Sequence, residues 1–171
     1  GVGRDRIEHC SECPPRLMSD LIDADIIIVT QPGFIYHHGD RYTAEVDKEM
    51  QPWLYRIASF QNAKLSSASS SDAPVIPPNP ITGIYAAVTR HTNSGGVIGP
   101  YECVSPIQAL KMHTANAAYA AFQEDSKGSI KIGKLGDVVL LSDDPITIEK
   151  ERIQEIRPTL TVVGGKVVWE L

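Results

Sequence analysis

The sequence contains little cysteine and no long apolar segment. Three cysteines occur among 171 residues, an odd and low number that argues against a disulfide-stabilised secreted domain and favours a reducing compartment, the cytoplasm. The strongest apolar run, Ile26 to Val29, has only the length of a strand, whereas a membrane helix needs about 20 apolar residues. We therefore expect no membrane partner.

Clusters of like charge are also missing. The formal net charge is −5 and the charged residues are dispersed along the chain, so the sequence offers no basic patch of the kind that binds nucleic acids. The charged start, Gly1 to Arg6, is not followed by the apolar stretch of a signal peptide, and position 1 is not Met. We therefore expect the chain to begin inside a longer protein.

Alternating strand and helix patterns are present instead. Arg6 to His9 predicts a short strand, residues 16–22 a helix, and Ile26 to Val29 a strand that is buried on both faces, as in parallel sheets. The breakers Gln31-Pro32-Gly33 end that strand, and we predict a loop over 34–42. This order is typical of a parallel α/β sheet.

The alternation continues along the chain. Residues 43–60 predict a helix that is interrupted at Pro52, and Lys64 to Ser71 predicts a weak strand made mostly of Ser and Ala. The remaining helical predictions are a helix over 82–91, a capped helix that starts at Ser105-Pro106-Ile107-Gln108, and a helix over 115–122 after a turn near Thr114.

The pattern changes at Gly128. Short β-type runs follow, and Gly164-Gly165 between two Val-rich runs predicts a hairpin. These runs cover residues 129–132, 137–141, 160–163 and 166–169. We therefore divide the chain into an α/β part, residues 1–127, and a C-terminal antiparallel β unit, residues 128–171.

Two side chains stand where predicted strands end. His9 closes the first strand and Asp72 follows the third, and the carboxyl ends of parallel strands carry ligand-binding groups. Imidazole and carboxylate are zinc ligands, and a carboxylate also accepts a proton from an attacking water. Taken singly, His9 also fits a surface histidine and Asp72 a turn residue.

Other candidates are less specific. Cys10-Ser11-Glu12-Cys13 is a C-x-x-C, but a zinc ribbon needs a second pair and only Cys103 remains. His37 and His38 lie in the predicted loop after the second strand, where they contact either substrate or solvent. Arg90, at the end of helix 82–91, reads on its own as a helix-terminal cation.

Read in order, the motifs resemble the amidohydrolase superfamily, in the branch related to N-substituted formamide deformylase. The resemblance covers almost the whole chain and is carried by several short segments. These are Arg6-Ile7-Glu8-His9, Ile28-Val29-Thr30-Gln31-Pro32, Ser71-Asp72-Ala73-Pro74-Val75, Gly83 to Arg90, Ser105 to Ala118, Gly128 to Leu141 and Val162 to Val168.

The resemblance implies a partial barrel. Residues 1–127 would form the last three β/α units of a TIM-type (β/α)8 barrel with the helices that follow, and residues 128–171 the closing β unit. His9 would be a metal ligand and Asp72 a ligand and proton shuttle, with His37, His38 and Arg90 as candidates near the substrate. The implied cofactor is a divalent metal, zinc, and the implied substrate is a small molecule with an amide-like, non-peptide carbon-nitrogen bond.

The departures from the family pattern predict an incomplete site. The family's His-x-His pair, bridging Lys and further His would all lie before residue 1, so we expect the isolated chain to be inactive. An open sheet edge also predicts self-association or pairing with an N-terminal barrel piece. The alternatives are a non-catalytic truncated or assembly protein that keeps the fold, and a small thiol or metal module around Cys10 and Cys13.

Overall fold

A computed structural model describes residues 3–171 as six strands and six α-helices joined by short 3-10 turns. The strands are β1 (Arg6–Glu8), β2 (Ile27–Thr30), β3 (Ser67–Ser69), β4 (Val138–Leu141), β5 (Pro158–Val163) and β6 (Lys166–Glu170). The helices are α1 (Met18–Asp23), α2 (Gly33–Glu45), α3 (Ile57–Asn62), α4 (Pro80–Thr89), α5 (Pro106–His113) and α6 (Ala115–Ala120). The 3-10 turns cover Pro15–Leu17, Gln51–Trp53, Pro100–Glu102 and Lys150–Glu155.

The first three strands form a parallel sheet with β2 in the centre. Ile7 of β1 lies beside Ile28 of β2, which lies beside Ser67 of β3. Every residue of β2 is buried, as its uniformly apolar sequence predicts for a strand that is covered on both faces. The α/β class and the parallel sheet are therefore confirmed, whereas the assignment to three of eight barrel units stays a prediction.

Helices cover both faces of this sheet. Ile28 packs with Phe60 of α3 and Leu65 on one face, while Val29 and Ala68 pack with Ala120 of α6 on the other. All three residues of β3 are buried, because their small side chains let α5 and α6 approach the strand closely. The Ser-Ala strand is thus real, but it is shorter than the predicted 64–71.

The predicted loop over 34–42 is wrong, because these residues belong to helix α2. Mixed aromatic and polar residues suggested a loop, but Phe34, His38 and Tyr42 recur at a spacing of four, which places them on one helix face. Their rings pack edge to face along the helix, with centroids 5.3 Å apart for Phe34–His38 and 6.3 Å apart for His38–Tyr42. The expected helix 43–60 is correspondingly broken, and Pro52 lies in a 3-10 turn between α2 and α3.

The predicted helix start at Ser105 is confirmed, whereas α4 begins at Pro80, two residues before the predicted start. Asn79 caps α4 by accepting a hydrogen bond from the N–H of Ile81 at 3.0 Å, and Pro80 occupies the first turn. At α5, the N–H of Ser105 donates to Oε1 of Gln108 at 2.9 Å within a capping box. These local interactions fix the residues at which α4 and α5 begin.

The C-terminal sheet is antiparallel, in the order β4-β5-β6. Gly164 and Gly165 form the tight turn, with φ angles of 57° and 76° that a two-residue hairpin of this kind requires. The predicted strand 129–132 is wrong, because it finds no partner strand and the side chains of Ile130 and Ile132 are fully exposed. Apolar residues of β4 and β6, Val139, Leu140, Val168 and Trp169 among them, also remain exposed.

The two parts of the chain share a core. Ile153 and Ile156, which follow β4 along the chain, are buried against Ile84 of α4 and Met112 of α5. The proposed boundary at residue 128 stays a prediction. No helix among residues 3–171 is long and apolar enough to cross a membrane.

Candidate metal centre

His9 and Asp72 meet at the carboxyl edge of the parallel sheet. His9 directly follows β1, and its N–H donates to the carbonyl of Val29 at 2.8 Å, which extends the pairing with β2 by one residue. On the other side of β2, the N–H of Ser70 donates to the carbonyl of Thr30 at 2.9 Å. These two bonds align the carboxyl ends of β1 and β3 on either side of β2. Nε2 of His9 consequently lies 4.0 Å from Oδ2 of Asp72.

Both residues adopt a left-handed backbone conformation. The φ angle is 67° at His9 and 55° at Asp72, a conformation that costs a residue with a side chain about 1–2 kcal/mol. Such conformations concentrate at functional sites, where they direct a side chain toward a ligand. Here they turn both side chains toward one another at the edge of the sheet, and both remain partly exposed, 47% for His9 and 39% for Asp72.

The imidazole nitrogen of His9 and the carboxylate oxygen of Asp72 are both atom types that bind zinc. Two ligands of one tetrahedral zinc lie about 3.4 Å apart when each is about 2.05 Å from the metal, so a small side-chain rotation brings Nε2 and Oδ2 from 4.0 Å to that separation. The number of donors is too low, however, because catalytic zinc has three protein ligands. Among residues 3–171 no group of three or more His, Cys, Asp or Glu side chains is placed to hold a metal.

Gln31 connects the ends of β2 and β3 behind this pair. Its side chain is fully buried, and its Nε2 donates to the hydroxyl oxygen of Ser70 at 2.9 Å and to the carbonyl of Val29 at 3.4 Å. Ser70 lies two residues before Asp72, so this bond restrains the segment that carries the carboxylate. Gln31 was predicted only as part of the Gln31-Pro32-Gly33 cluster that ends β2, and its contact with Ser70 was not predicted.

His37 and His38 lie on helix α2 and do not reach His9 directly. The ring of Phe34 lies between the rings of His9 and His38. Its centroid is 6.5 Å from that of His9 and 5.3 Å from that of His38. His37 packs edge-on against Tyr36 at 5.1 Å, and burial, then the neighbouring His38, lowers the pKa of its imidazole. Phe34 was not predicted as a site residue, because an aromatic side chain also suits a core position.

Arg90 is fully buried, and its predicted position near substrate stays a prediction. Its guanidinium donates to three carbonyl oxygens, those of Ile98 at 2.8 Å, Tyr55 at 2.9 Å and Leu54 at 3.0 Å. Burial lowers its pKa to about 10. A left-handed backbone at the end of α4, with φ of 60°, turns the side chain inward, so Arg90 joins two loops to the helix.

The cysteine pair lacks the features of a reactive or metal-binding site. Burial, and then the neighbouring Cys13, raises the pKa of Cys10 to about 12, and burial also raises the pKa of the Cys13 thiol. Thiols that stay protonated are poor nucleophiles and poor metal ligands. Cys10, Cys13 and Cys103 are all free, which gives the thiol-module alternative no support.

His113 is an unexpected buried imidazole. It ends α5, and its Nε2 is closed to solvent without a hydrogen-bond partner among the residues that the structure describes. Burial lowers its pKa to about 4. A Cβ on Gly83 would lie 2.7 Å from this nitrogen. The only sequence signal was a glycine inside a helix, which often marks close packing.

Comparison with known proteins gives consistent matches. The profile of the amidohydrolase family matches residues 1–169. YtcJ of Bacillus subtilis, whose name describes it as an amidohydrolase, is 27% identical over 169 residues, which are 97% of this chain and 32% of YtcJ. N-substituted formamide deformylase of Arthrobacter pascens is 26% identical over 166 residues, 96% of this chain and 31% of the deformylase. The chain thus spans about a third of the length of these curated relatives.

Solved structures show the same fold. An uncharacterized metal-dependent hydrolase from Pyrococcus horikoshii superposes with a TM-score of 0.75 at 25% identity, over 86% of this chain and 30% of that one. Atrazine chlorohydrolase TrzN from Arthrobacter aurescens, solved with zinc, superposes with a TM-score of 0.66 at 18% identity, over 96% of this chain and 36% of TrzN. With its profile match over nearly the whole length, the chain belongs to the amidohydrolase family.

Proposed function

We propose that this chain supplies the His9 and Asp72 side of a divalent-metal centre that hydrolyses carbon-nitrogen bonds in small, amide-like, non-peptide molecules. The observation that carries the proposal is the approach of Nε2 of His9 and Oδ2 of Asp72 to 4.0 Å at the carboxyl edge of the sheet. The names of the amidohydrolase and deformylase relatives support the bond type.

The chemistry divides between the metal and the side chains. A bound zinc-type ion would supply a Lewis acid that polarises a carbonyl and acidifies a water. His9 would hold the ion through Nε2 in its neutral form. Asp72 would bind through one carboxylate oxygen, accept the proton of the attacking water and return it to the leaving amine nitrogen.

Two donors do not complete such a centre, so we propose that the isolated chain is inactive. The curated relatives are about three times as long, and the remaining ligands would come from a region outside these 171 residues.

The open edge of β1 and the exposed apolar residues of β4 and β6 favour pairing with an N-terminal barrel piece or with a second copy. Three free thiols suit the cytoplasm.

Zinc titration of the purified, metal-stripped chain tests the proposal. We expect weak binding that broadens the ring resonances of His9, and loss of at least about tenfold in affinity in Asp72→Asn, because one of two ligands loses its charge. Asp23→Asn, an exposed carboxylate elsewhere, is the matched control and should change nothing. Equal zinc affinity in Asp72→Asn and the wild-type chain would refute the site.

The alternative of a non-catalytic assembly protein is favoured by one observation, the exposed apolar C-terminal sheet. Light scattering of Leu140→Lys, which charges the side chain exposed on β4, tests whether this surface mediates association. A wild-type chain that is already a monodisperse monomer would contradict the predicted association.

A further inference from the structure

A cavity of about 240 Å³ opens beside the Asp72 segment. Ser70 and Ser71 line one side, Asn79 and Gly83 at the start of α4 line another, and His113 closes one end. Ser71 directly precedes Asp72 in the chain, so the cavity adjoins the candidate metal centre. Its volume is below the roughly 300–1,000 Å³ of pockets that enclose a whole ligand, and it therefore fits one part of a ligand.

The wall of the cavity combines polar side chains (Ser70, Ser71, Asn79 and His113) with the apolar Ile76, Pro78 and Pro80, and it carries no charge. None of the described residues that line it is Asp, Glu, Lys or Arg, and burial keeps the imidazole of His113 neutral near pH 7, since its pKa is about 4. A charged group that entered would give up part of its hydration and would find no counter-ion among these lining residues, which is costly. The wall therefore selects against ions of either sign.

Several hydrogen-bond donors on the wall are unused. The hydroxyl oxygen of Ser70 accepts from Gln31, that of Ser71 accepts from the N–H of Ala73, and Oδ1 of Asn79 accepts from the N–H of Ile81. Each interaction uses an acceptor and leaves an O–H or N–H free to donate. The matching ligand group is uncharged and presents an acceptor oxygen.

We propose that this cavity binds an uncharged substituent of an amide-like substrate, a group that carries a carbonyl, ether or hydroxyl oxygen, and holds it beside Asp72. The inference rests on the proposed function and specifies which substrates that site would accept. Ser70, Ser71 and Asn79 contribute the donors, and the uncharged wall disfavours carboxylate and ammonium substituents.

Chemical-shift titration of the 15N-labelled chain with three amides that share an N-propylacetamide core tests the inference. The probes are N-(3-methoxypropyl)acetamide, which is neutral, 4-acetamidobutyrate and N-(3-aminopropyl)acetamide. The neutral probe should shift the amides of Gly33 and Gly83, which line the cavity, but not that of Gly95, which does not. Its affinity should exceed that of both charged probes by about tenfold. Equal affinities, or equal shifts at Gly95, would overturn the inference.

Variants of Ser71 locate the binding. Ser71→Leu fills the cavity mouth and should abolish the shifts at Gly83, whereas Ser19→Leu on the exposed face of α1 should leave them unchanged. If Ser71→Leu fails to fold, Ser71→Ala removes one donor at little cost in shape and should weaken the neutral probe about threefold. An unchanged affinity in Ser71→Ala would contradict the donor assignment.

Repeating the titration without metal, and in Asp72→Asn, separates this inference from the proposed function. Binding of the neutral probe that persists in both cases supports the cavity even where zinc does not bind. Binding that requires zinc and disappears in Asp72→Asn refutes the cavity as a separate pocket while it supports the metal centre.

Discussion

Gly83 of α4 and His113 of α5 are packed so closely that a Cβ at position 83 would lie 2.7 Å from Nε2 of the imidazole. Gly83 lies within the helix without a left-handed backbone, so its conformation does not require glycine. A helix interior favours Ala over Gly by about 1 kcal/mol. The glycine is therefore explained by space, which the imidazole occupies.

The first prediction follows from this contact. Gly83→Ala should lower the free energy of unfolding by about 1–2 kcal/mol, because overpacking outweighs the gain in helix propensity. Urea denaturation measures the change. In the double variant Gly83→Ala with His113→Ala the alanine should cost nothing beyond His113→Ala alone, and a Gly83→Ala chain that is more stable than wild type would refute the packing argument.

The second prediction concerns acid stability. Burial lowers the pKa of His113 from 6.5 to about 4, so between these values the unfolded chain binds a proton that the folded chain does not. Its contribution is present above about pH 6.5 and is lost as the pH falls toward 4, by about 2 kcal/mol between pH 7 and pH 5. The His113→Phe variant, whose ring takes up no proton, supplies the comparison. Between pH 7 and pH 5, the unfolding free energy of His113→Phe should fall by about 2 kcal/mol less than that of the wild-type chain. Parallel pH profiles of the two proteins would contradict the assignment.

The third prediction separates a structural role of Arg90 from a substrate role. Arg90→Lys cannot donate to the carbonyls of Leu54, Tyr55 and Ile98 together, and each buried acceptor left without a partner costs about 1–3 kcal/mol. We expect a loss of at least about 3 kcal/mol in chemical denaturation and unchanged zinc affinity in the folded fraction. Reduced zinc affinity without a loss of stability would reverse the assignment.

The fourth prediction concerns Gln31 as a positioning residue. Gln31→Met keeps the side-chain length but removes the hydrogen bond to Ser70. Supporting interactions of this kind are worth about tenfold or more in metal affinity, so zinc binding should weaken about tenfold while the Gly83 and His113 resonances stay in place. Gln51→Met, which removes hydrogen bonds to the carbonyls of Thr43 and Val46, is the control and should leave zinc affinity unchanged.

Local sequence signals predicted the elements that local interactions determine. The β-branched run of β2, the cap at Ser105 and the Gly164-Gly165 turn are all present. Helix α2 was missed because its aromatic residues pack against one another at helical spacing, which composition alone does not reveal. The strand predicted over 129–132 failed because a strand depends on a partner that only the tertiary structure specifies.

Part of the candidate site was predicted, because only some of its features are local in the sequence. His9 and Asp72 were visible because strand ends are local features and parallel strands align their carboxyl ends. The burial of Arg90 and the contact between His113 and Gly83 depend on loops and helices that are distant in sequence. Phe34, which stands between His9 and His38, shares this dependence.

The exposed apolar sheet of β4, β5 and β6 has a calorimetric consequence. Apolar surface that is already hydrated in the folded state adds nothing to the heat-capacity increment of unfolding, which is about 12–15 cal/mol/K per residue in ordinary domains. The isolated chain should therefore unfold with a smaller heat-capacity increment per residue. Its free energy of unfolding should also depend less steeply on denaturant concentration. A partner that covers Leu140, Val168 and Trp169 should raise both quantities, so scanning calorimetry would detect the completed fold before any substrate is known.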